Sequence, residues 1–422
     1  MLNMFSRNLF KRNNVKQAQV VTETCPDQGL QICLIEYRWI GHHPMYYCYI
    51  LKALLNLGHR VYAICPDPST VTRWVEKNID NSPSDRIAYA SLEIPTLKIR
   101  PMRWRYGINQ SLALWKIRKL MHDFEIKSRS VIDHAFFASI DEITLSYFKL
   151  GMSKFRWSFS FLYLHCSLHL NSNTRPANKY RKDIFRALSH PSLCSLALYD
   201  PKAILFLERS GCKSKLIAFP DFTDESIDQN SKLCRTVRTL ALGRTVITIT
   251  GHLDRRKGLI NLAKAACSHE LRNYFFVFAG NIIWSSYSET EQSLIRHLPD
   301  RENTFTHFNW VEPGTMNQLV RDSSLIYAVY HDFQFSSNML IKSAINSTPI
   351  LVADGYLMAD TVLRYRLGFS IAEQSILTLK NFLVTHKHEI DSFQYDEDLR
   401  HEYIQANSFR SMQVAMASCI AG

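Results

Sequence analysis

Three cations, Arg255, Arg256 and Lys257, stand where an apolar strand gives way to a helix in ITITGHLDRRKGLINLAKA, residues 247–265. The start of a helix already carries unsatisfied N–H groups and a partial positive charge. Adding cations there is unfavourable unless an anion is to be held. Gly251 and His252 open this turn. Two other stretches occupy the same kind of position. NYFFVFAGN closes on Gly280 and Asn281, and HDFQFSSNMLIKSA opens a helical pattern with Ser336, Ser337 and Asn338. Ser336 or Ser337 fits an N-cap, beside which free N–H groups can hold a phosphate. Lys257 fits a mobile point charge reaching toward it. Taken singly, the serines read as an ordinary cap and the cations as a solvated turn. Together at the carboxyl ends of neighbouring strands, they make an anion site an equal reading.

The elements that must position these residues form two series. QICLIEY (31–37), an amphipathic helix ending near Gly58, and RVYAICP form a strand–helix–strand unit, which implies a parallel sheet. SVIDHAFF (130–137), WSFSFLYLHC (157–166) and KLIAFPD continue as strands, with PKAILFLERSG as a helix. Polarity then rises and periodicity fades as far as Arg244. From Thr245 to Asp354 strands and helices alternate strictly, the pattern of a doubly wound α/β sheet. The last part, from about Ile376, is helical. The organisation expected is a mobile basic tail at 1–27, a first Rossmann-like domain at 28–222, a linker at 223–244, a second Rossmann-like domain at 245–400 and a C-terminal helix at 401–422.

Composition narrows the field. The 422 residues are 46% hydrophobic and 21% charged, which suits a folded globular chain. No apolar run reaches the roughly 18 residues of a membrane span, and the N-terminus lacks the apolar core of a signal peptide. The ten cysteines show no C-x-x-C and no zinc-ligand spacing, as in a reducing cytosol. A net charge of +12 favours an anionic partner. No G-x-G-x-x-G follows either opening strand, so an NAD enzyme is not expected.

These residues resemble a known family. GHLDRRKGLINLAKA is similar to the G-R-L-x-x-x-K-G turn of GT-B glycosyltransferases, particularly the family 4 type. FQFSSNMLIKSAINSTPILVAD is similar to their donor segment, E-G-F-G-x-x-x-x-E-A-x-A-x-G-x-P-V, and GHHPMYYCYILKALLNLGHRVYAICP to their first strand–helix–strand unit. The resemblance runs from Gln31 to about Gly368. It implies two Rossmann-like domains facing across a cleft, the second binding a nucleoside-diphosphate-sugar and the first an acceptor. It also implies retaining glycosyl transfer without a metal or other cofactor, the leaving diphosphate being met by Lys257, Arg256 and a helix N-terminus.

The resemblance carries roles to particular positions. The donor contacts are Gly251, His252, Arg256, Lys257, Gly280, Ser336, Ser337, Asn338 and Lys342. Gln334 faces the transferred sugar, and His165, or the loop of Gly41, His42 and His43, faces the acceptor and the reacting centre. A histidine at a strand end such as His165 is equally often a plain core residue. The chain also departs from the family. His252 replaces an arginine, Gln334 and Lys342 replace the two glutamates of E-x7-E, and Ser347 replaces a glycine. Asp396-Glu397-Asp398 opens a late helix, where acids suit the helix dipole better than a metal.

Residues 98–119, KIRPMRWRYGINQSLALWKIRK, interleave cations with Trp104, Tyr106 and Trp115. A solvated helix is the plainest reading, peripheral contact with an anionic membrane the second, and nucleic acid the third, since no nucleic-acid motif accompanies the charge. The function expected is transfer of a sugar to a glycan, lipid or polysaccharide-precursor acceptor, in the cytoplasm or at the inner face of the membrane. The alternative is a catalytically inactive relative that binds a nucleotide-sugar or a protein partner, motivated by the missing glutamates. An epimerase on paired Rossmann domains is weaker.

Overall fold

A computed structural model describes residues 29–39, 41, 43–79, 84–93, 102–140, 155–163, 188, 190–372 and 375–421, with side chains from Ser111 onward in the helix that begins at Met102. His42, His165 and the tail 1–27 lie outside the described residues, as do residues 98–101.

The first series runs β1 (Gln31–Ile35), α1 (His43–Asn56), β2 (Arg60–Cys65), α2 (Pro68–Asn78), β3 (Ile87–Ser91), α3 (Met102–Ser128), β4 (His134–Phe137), β5 (Ser158–Tyr163), β6 (Leu193–Leu198), α4 (Pro201–Arg209) and β7 (Lys215–Ala218). The second runs α5 (Lys232–Ala241), β8 (Thr245–Leu253), α6 (Leu259–Ala266), β9 (Tyr274–Ile282), α7 (Glu289–Arg296), β10 (Thr304–His307), α8 (Pro313–Arg321), β11 (Leu325–Ala328), α9 (Met339–Ile345), β12 (Ile350–Ala353), α10 (Leu357–Tyr365) and β13 (Gly368–Ile371). Four helices close the chain: α11 (Ile376–Thr385), α12 (Lys387–Asp391), α13 (Glu397–Ala406) and α14 (Phe409–Ile420).

The strands form two sheets, ordered β3-β2-β1-β4-β5-β6-β7 and β10-β9-β8-β11-β12-β13, and the pairings are parallel. Parallel strands must be covered on both faces, and successive side chains of a strand point to opposite faces. Both rules appear in QICLI. Ile32 and Leu34 enter the layer beneath α1 and α14, whereas Cys33 and Ile35 enter the layer beneath α3 and α4. In the second sheet Ile247, Phe276 and Tyr327 pack toward α6 and α11, while Ile326, Ala328 and Val352 pack toward α9 and α10. The strand order reverses between β1 and β4 and again between β8 and β11. Those reversals are where an open α/β sheet leaves a crevice beyond its strand ends.

Two boundaries differ from the sequence expectation. Residues 232–241, placed in the linker, form α5, which Ser231 caps by accepting the Cys234 N–H at 3.3 Å. Cys234, Val237 and Ala241 pack on Val246, Phe275 and Val277 of the second sheet. The C-terminal segment also divides. Tyr403 of α13 joins the second core, whereas Met412, Met416 and Cys419 of α14 join the first. The Cys419 carbonyl accepts the Ser160 and Ser195 hydroxyls at 2.9 and 3.1 Å. The chain therefore crosses between domains twice, near Asp221 and near Asn407. Among the described residues no helix is long and apolar enough to cross a membrane.

One buried group makes stability depend on pH. His134 of β4 is buried, and its Nε2 has no hydrogen-bond partner among the described residues. Burial first, and His59 second, push its imidazole down from 6.5 to about 4. The unfolded chain then binds the proton more tightly, so stability is full above about pH 6.5 and is lost as pH falls toward 4. At pH 5 the loss from this group is about 2 kcal/mol. Urea midpoints at pH 7.5 and pH 5 should converge in His134→Leu relative to wild type; an equal acid loss in both proteins would remove His134 as its cause.

Candidate functional site

The crevice at the second reversal is built from β8 and β9 outward. Gly251 and Gly280 lie opposite one another in the parallel register. Both have positive φ, +100° and +147°, and a Cβ at Gly280 would meet the Gly251 carbonyl oxygen at 2.0 Å. The strands approach so closely here that Gly280 has no room for a side chain, whereas a Cβ at Gly251 would meet only the end of a lysine side chain. β8 then continues to Leu253, followed by one tight 3-10 turn at Arg255–Lys257. Gly258, at φ +74°, separates that turn from α6, so the cations stand ahead of the helix and not in it.

This one-turn geometry sends the three cations in different directions. Arg255 points outward and pairs with Glu291 at 3.0 Å. The Arg256 guanidinium lies 4.6 Å from the Phe333 ring centroid and 5.6 Å from that of Tyr330. Lys257 points inward and is only 9% exposed. Its ammonium donates to the Thr250 carbonyl at 3.2 Å and to the Tyr330 hydroxyl at 3.0 Å. Among the described residues no carboxylate lies within ion-pair distance of it. A buried ammonium with only neutral oxygens around it has an incomplete shell. It also lies against Gly251, where a Cβ would come within 3.2 Å of Nζ. Beside it, the Thr250 hydroxyl is buried with no partner among the described residues.

The turn is docked on the segment that follows β11. The His331 N–H donates to the Arg256 carbonyl at 2.8 Å, and the Tyr327 hydroxyl donates to the Gly258 carbonyl at 3.3 Å. Cations and serines are thereby brought to one end of the sheet, as the sequence suggests. The serines are nonetheless engaged differently. The Ser336 hydroxyl donates to Asp221 at 2.6 Å, and the Ser337 hydroxyl accepts the Met339 N–H at 3.4 Å. Asn338, not a serine, is the N-cap residue, and it adopts a helical conformation without a side-chain cap bond. Gln334 is exposed, and so is His252, which lies opposite Asn281 in the register.

Lys342 is engaged within the protein. It is buried, and its ammonium donates to Asn317 Oδ1 at 2.5 Å. Burial pushes its pKa down to about 8, partly opposed by the Asp224 charge. The second glutamate of the family pattern thus corresponds here to a cation facing the interdomain connection. Lys342→Glu, which restores the family residue, would place a carboxylate beside Asp224. It should lower stability by about 3–5 kcal/mol and leave UDP affinity no higher. Unchanged urea stability with tighter UDP binding in calorimetry would return this position to the donor site. Ser347, where the family has glycine, takes the left-handed conformation glycine would favour, φ +53°. Its hydroxyl accepts from Arg400 at 2.7 Å.

In the first domain, Gly41 has φ +62° and open space around it. His43, at the start of α1, is engaged by a carboxylate. It is 6% exposed, and its Nδ1 lies 3.1 Å from Glu36 Oε2. Glu36 follows β1, is 1% exposed, and accepts the Tyr37 and Arg38 N–H groups at 2.9 Å. Burial pushes its carboxyl up, and these bonds pull it down. The pair fastens the start of α1 to the end of β1. Asp396, the first acid of the D-x-D string, caps α13 by accepting the Leu399 N–H and pairs with Arg366 at 3.0 Å.

No model of a protein family and no curated protein matches the sequence. Solved structures do match. Sucrose-phosphate synthase of Thermosynechococcus elongatus superposes with a TM-score of 0.65 at 13% identity, over 92% of this chain and 97% of that one. Anabaena HepE, solved with UDP and glucose, gives 0.64 at 13% identity, over 93% and 99%. WaaG, a glycosyltransferase of lipopolysaccharide biosynthesis, gives 0.61 at 14% identity, over 93% and 100%. The fold is GT-B.

Within the GT-B fold the second sheet brings together Gly251, Arg256, Lys257 and Gly280, with the serine segment adjoining. It withdraws Lys342 and turns Arg255 aside. Sequence reasoning missed Thr250, Tyr330, Glu36 and Asp221. Thr250 and Tyr330 end apolar runs and read as strand residues. Asp221 ends KLIAFPD, where an acid reads as loop polarity.

Proposed function

We propose that the chain is a glycosyltransferase that moves a sugar from a nucleoside-diphosphate donor to a glycan, lipid or polysaccharide-precursor acceptor. The observation that carries this is Lys257: a buried cation, incompletely coordinated, at the reversal point of the second sheet. A diphosphate leaving group completes its shell. As the bond from the anomeric carbon to the diphosphate oxygen breaks, negative charge grows on that oxygen. A fixed ammonium in a water-poor site lowers the energy of that charge without a metal. Arg256, stacked on Phe333 and Tyr330, adds a second cation at the mouth, and the loop of Gly41 presents the acceptor. Retention of anomeric configuration belongs to the same proposal. UDP-glucose is the first donor to test, since HepE is solved in complex with it.

A second reading, a nucleotide-sugar-binding protein without turnover, is favoured by the exposed, uncharged Gln334 and the withdrawn Lys342. One experiment separates the two. Thermal shift against nucleoside diphosphates and their sugars detects binding, and UDP release with UDP-glucose and a glycan acceptor detects turnover. Binding with no release for any donor selects the second reading, and no thermal response at all defeats both.

Contact of the 98–119 region with an anionic membrane is part of the proposal for the acceptor side. Within it, Trp115 of α3 is 60% exposed with the Lys119 ammonium 5.7 Å from its ring centroid. Co-sedimentation with phosphatidylglycerol vesicles, lost in Trp115→Ala, is the measurement.

A further inference from the structure

Asp221 stands at the first crossing between domains and is buried. Three distant parts of the chain meet on it. One carboxylate oxygen accepts the Tyr46 hydroxyl of α1 at 2.5 Å, and the other accepts the Ser336 hydroxyl at 2.6 Å. Its own N–H donates to Asn407 Oδ1 at 2.9 Å, at the second crossing. A second thread runs alongside. The Tyr49 hydroxyl, one helical turn beyond Tyr46, donates to Asp224 at 2.9 Å. Asn317 donates to the Asp224 carbonyl at 2.8 Å and accepts from Lys342 at 2.5 Å. One face of α1 thus addresses two aspartates of the connection, whose far sides hold the segment before α9 and α9 itself. α1 belongs to the first domain and follows the Gly41 loop.

We propose that Asp221 is a positioning residue that fixes segment 331–338 against α1, so that the donor side of the cleft is set by a contact made in the acceptor domain. Its action on donor binding rests on the function proposed above, but its action on the segment does not. Each hydroxyl contributes one buried, charge-assisted hydrogen bond. The two bonds act in series, so removing either one breaks the link from α1 to the segment. The segment then opens more often, and the bond from the His331 N–H to the Arg256 carbonyl is made less of the time. This also accounts for the hydroxyl of Ser336 being taken up by Asp221: the residue serves the segment's position.

The test uses the full chain and three variants that each delete one hydrogen-bonding group, Tyr46→Phe, Ser336→Ala and Asp221→Asn. Amide hydrogen exchange over residues 331–338 should accelerate about tenfold in each, the equivalent of one such bond. The global urea midpoint of Tyr46→Phe and Ser336→Ala should stay close to wild type. Ser336→Thr, which keeps the hydroxyl, should restore wild-type exchange, and the double variant should be no worse than either single one. UDP affinity by calorimetry should fall in parallel. Wild-type exchange of 331–338 in Tyr46→Phe, or additive effects in the double variant, would overturn the proposal. If wild type binds no UDP, the donor reading fails while the exchange results still decide the role of Asp221.

Discussion

Lys257→Ala is expected to lower sugar transfer by about 10²–10³-fold, the usual effect of deleting one group that stabilises charge at a reacting centre. The same variant should lose the thermal stabilisation given by UDP, which for wild type at 100-fold excess over Kd is about 2.7 kcal/mol. Its effect on the folded state should be small. The ammonium is buried against the Thr250 carbonyl and the Tyr330 hydroxyl, with no counter-charge among the described residues. Deleting it costs two hydrogen bonds and relieves the desolvation of a cation, and these effects oppose each other. A variant that is stable but blind to UDP is therefore the signature of a ligand-directed charge. If Lys257→Ala still responds to UDP as wild type does, the ammonium is structural and the proposed activity fails with it.

Gly280→Ala is expected to be strongly destabilising. The added Cβ would meet the Gly251 oxygen at 2.0 Å and its nitrogen at 2.8 Å, both backbone atoms that cannot swing aside. β8 and β9 would have to separate where Lys257 is seated, at a cost of about 4–5 kcal/mol. Positive φ alone is a lesser matter. Gly41 has φ +62° with nothing near it, so Gly41→Ala should cost about 1 kcal/mol. Urea denaturation of the two variants measures the difference. Equal losses would mean that backbone conformation, and not the approach of the strands, demands glycine at 280.

Much of the fold is legible because it follows from short-range chemistry. TVITIT, NYFFVFAG and TPILVAD are apolar runs bounded by polar turns, and parallel strands buried on both faces must look so. α5 escapes this reading because Lys232, Arg235 and Arg238 surround a narrow apolar stripe of Cys234, Val237 and Ala241. The cations at the β8 turn are legible as a cluster, but which one faces inward is decided by a single 3-10 turn and by Gly258. The family pattern marks position 342 as a ligand contact, yet a helix face is assigned only once its neighbours are known. Asn317 and Asp224, both far away in sequence, are what draw Lys342 inward. Asp221 is harder still: its partners Tyr46, Ser336 and Asn407 come from three distant segments.

The return of α14 to the first sheet has a consequence for biosynthesis. Met412, Met416 and Cys419 cover the face bearing Phe136, Leu162 and Ala197. The first domain is thus roofed by a helix that is synthesised only after the whole of the second sheet. Until then its nascent chain exposes an oily surface to the crowded cell, the kind of intermediate that chaperones shelter.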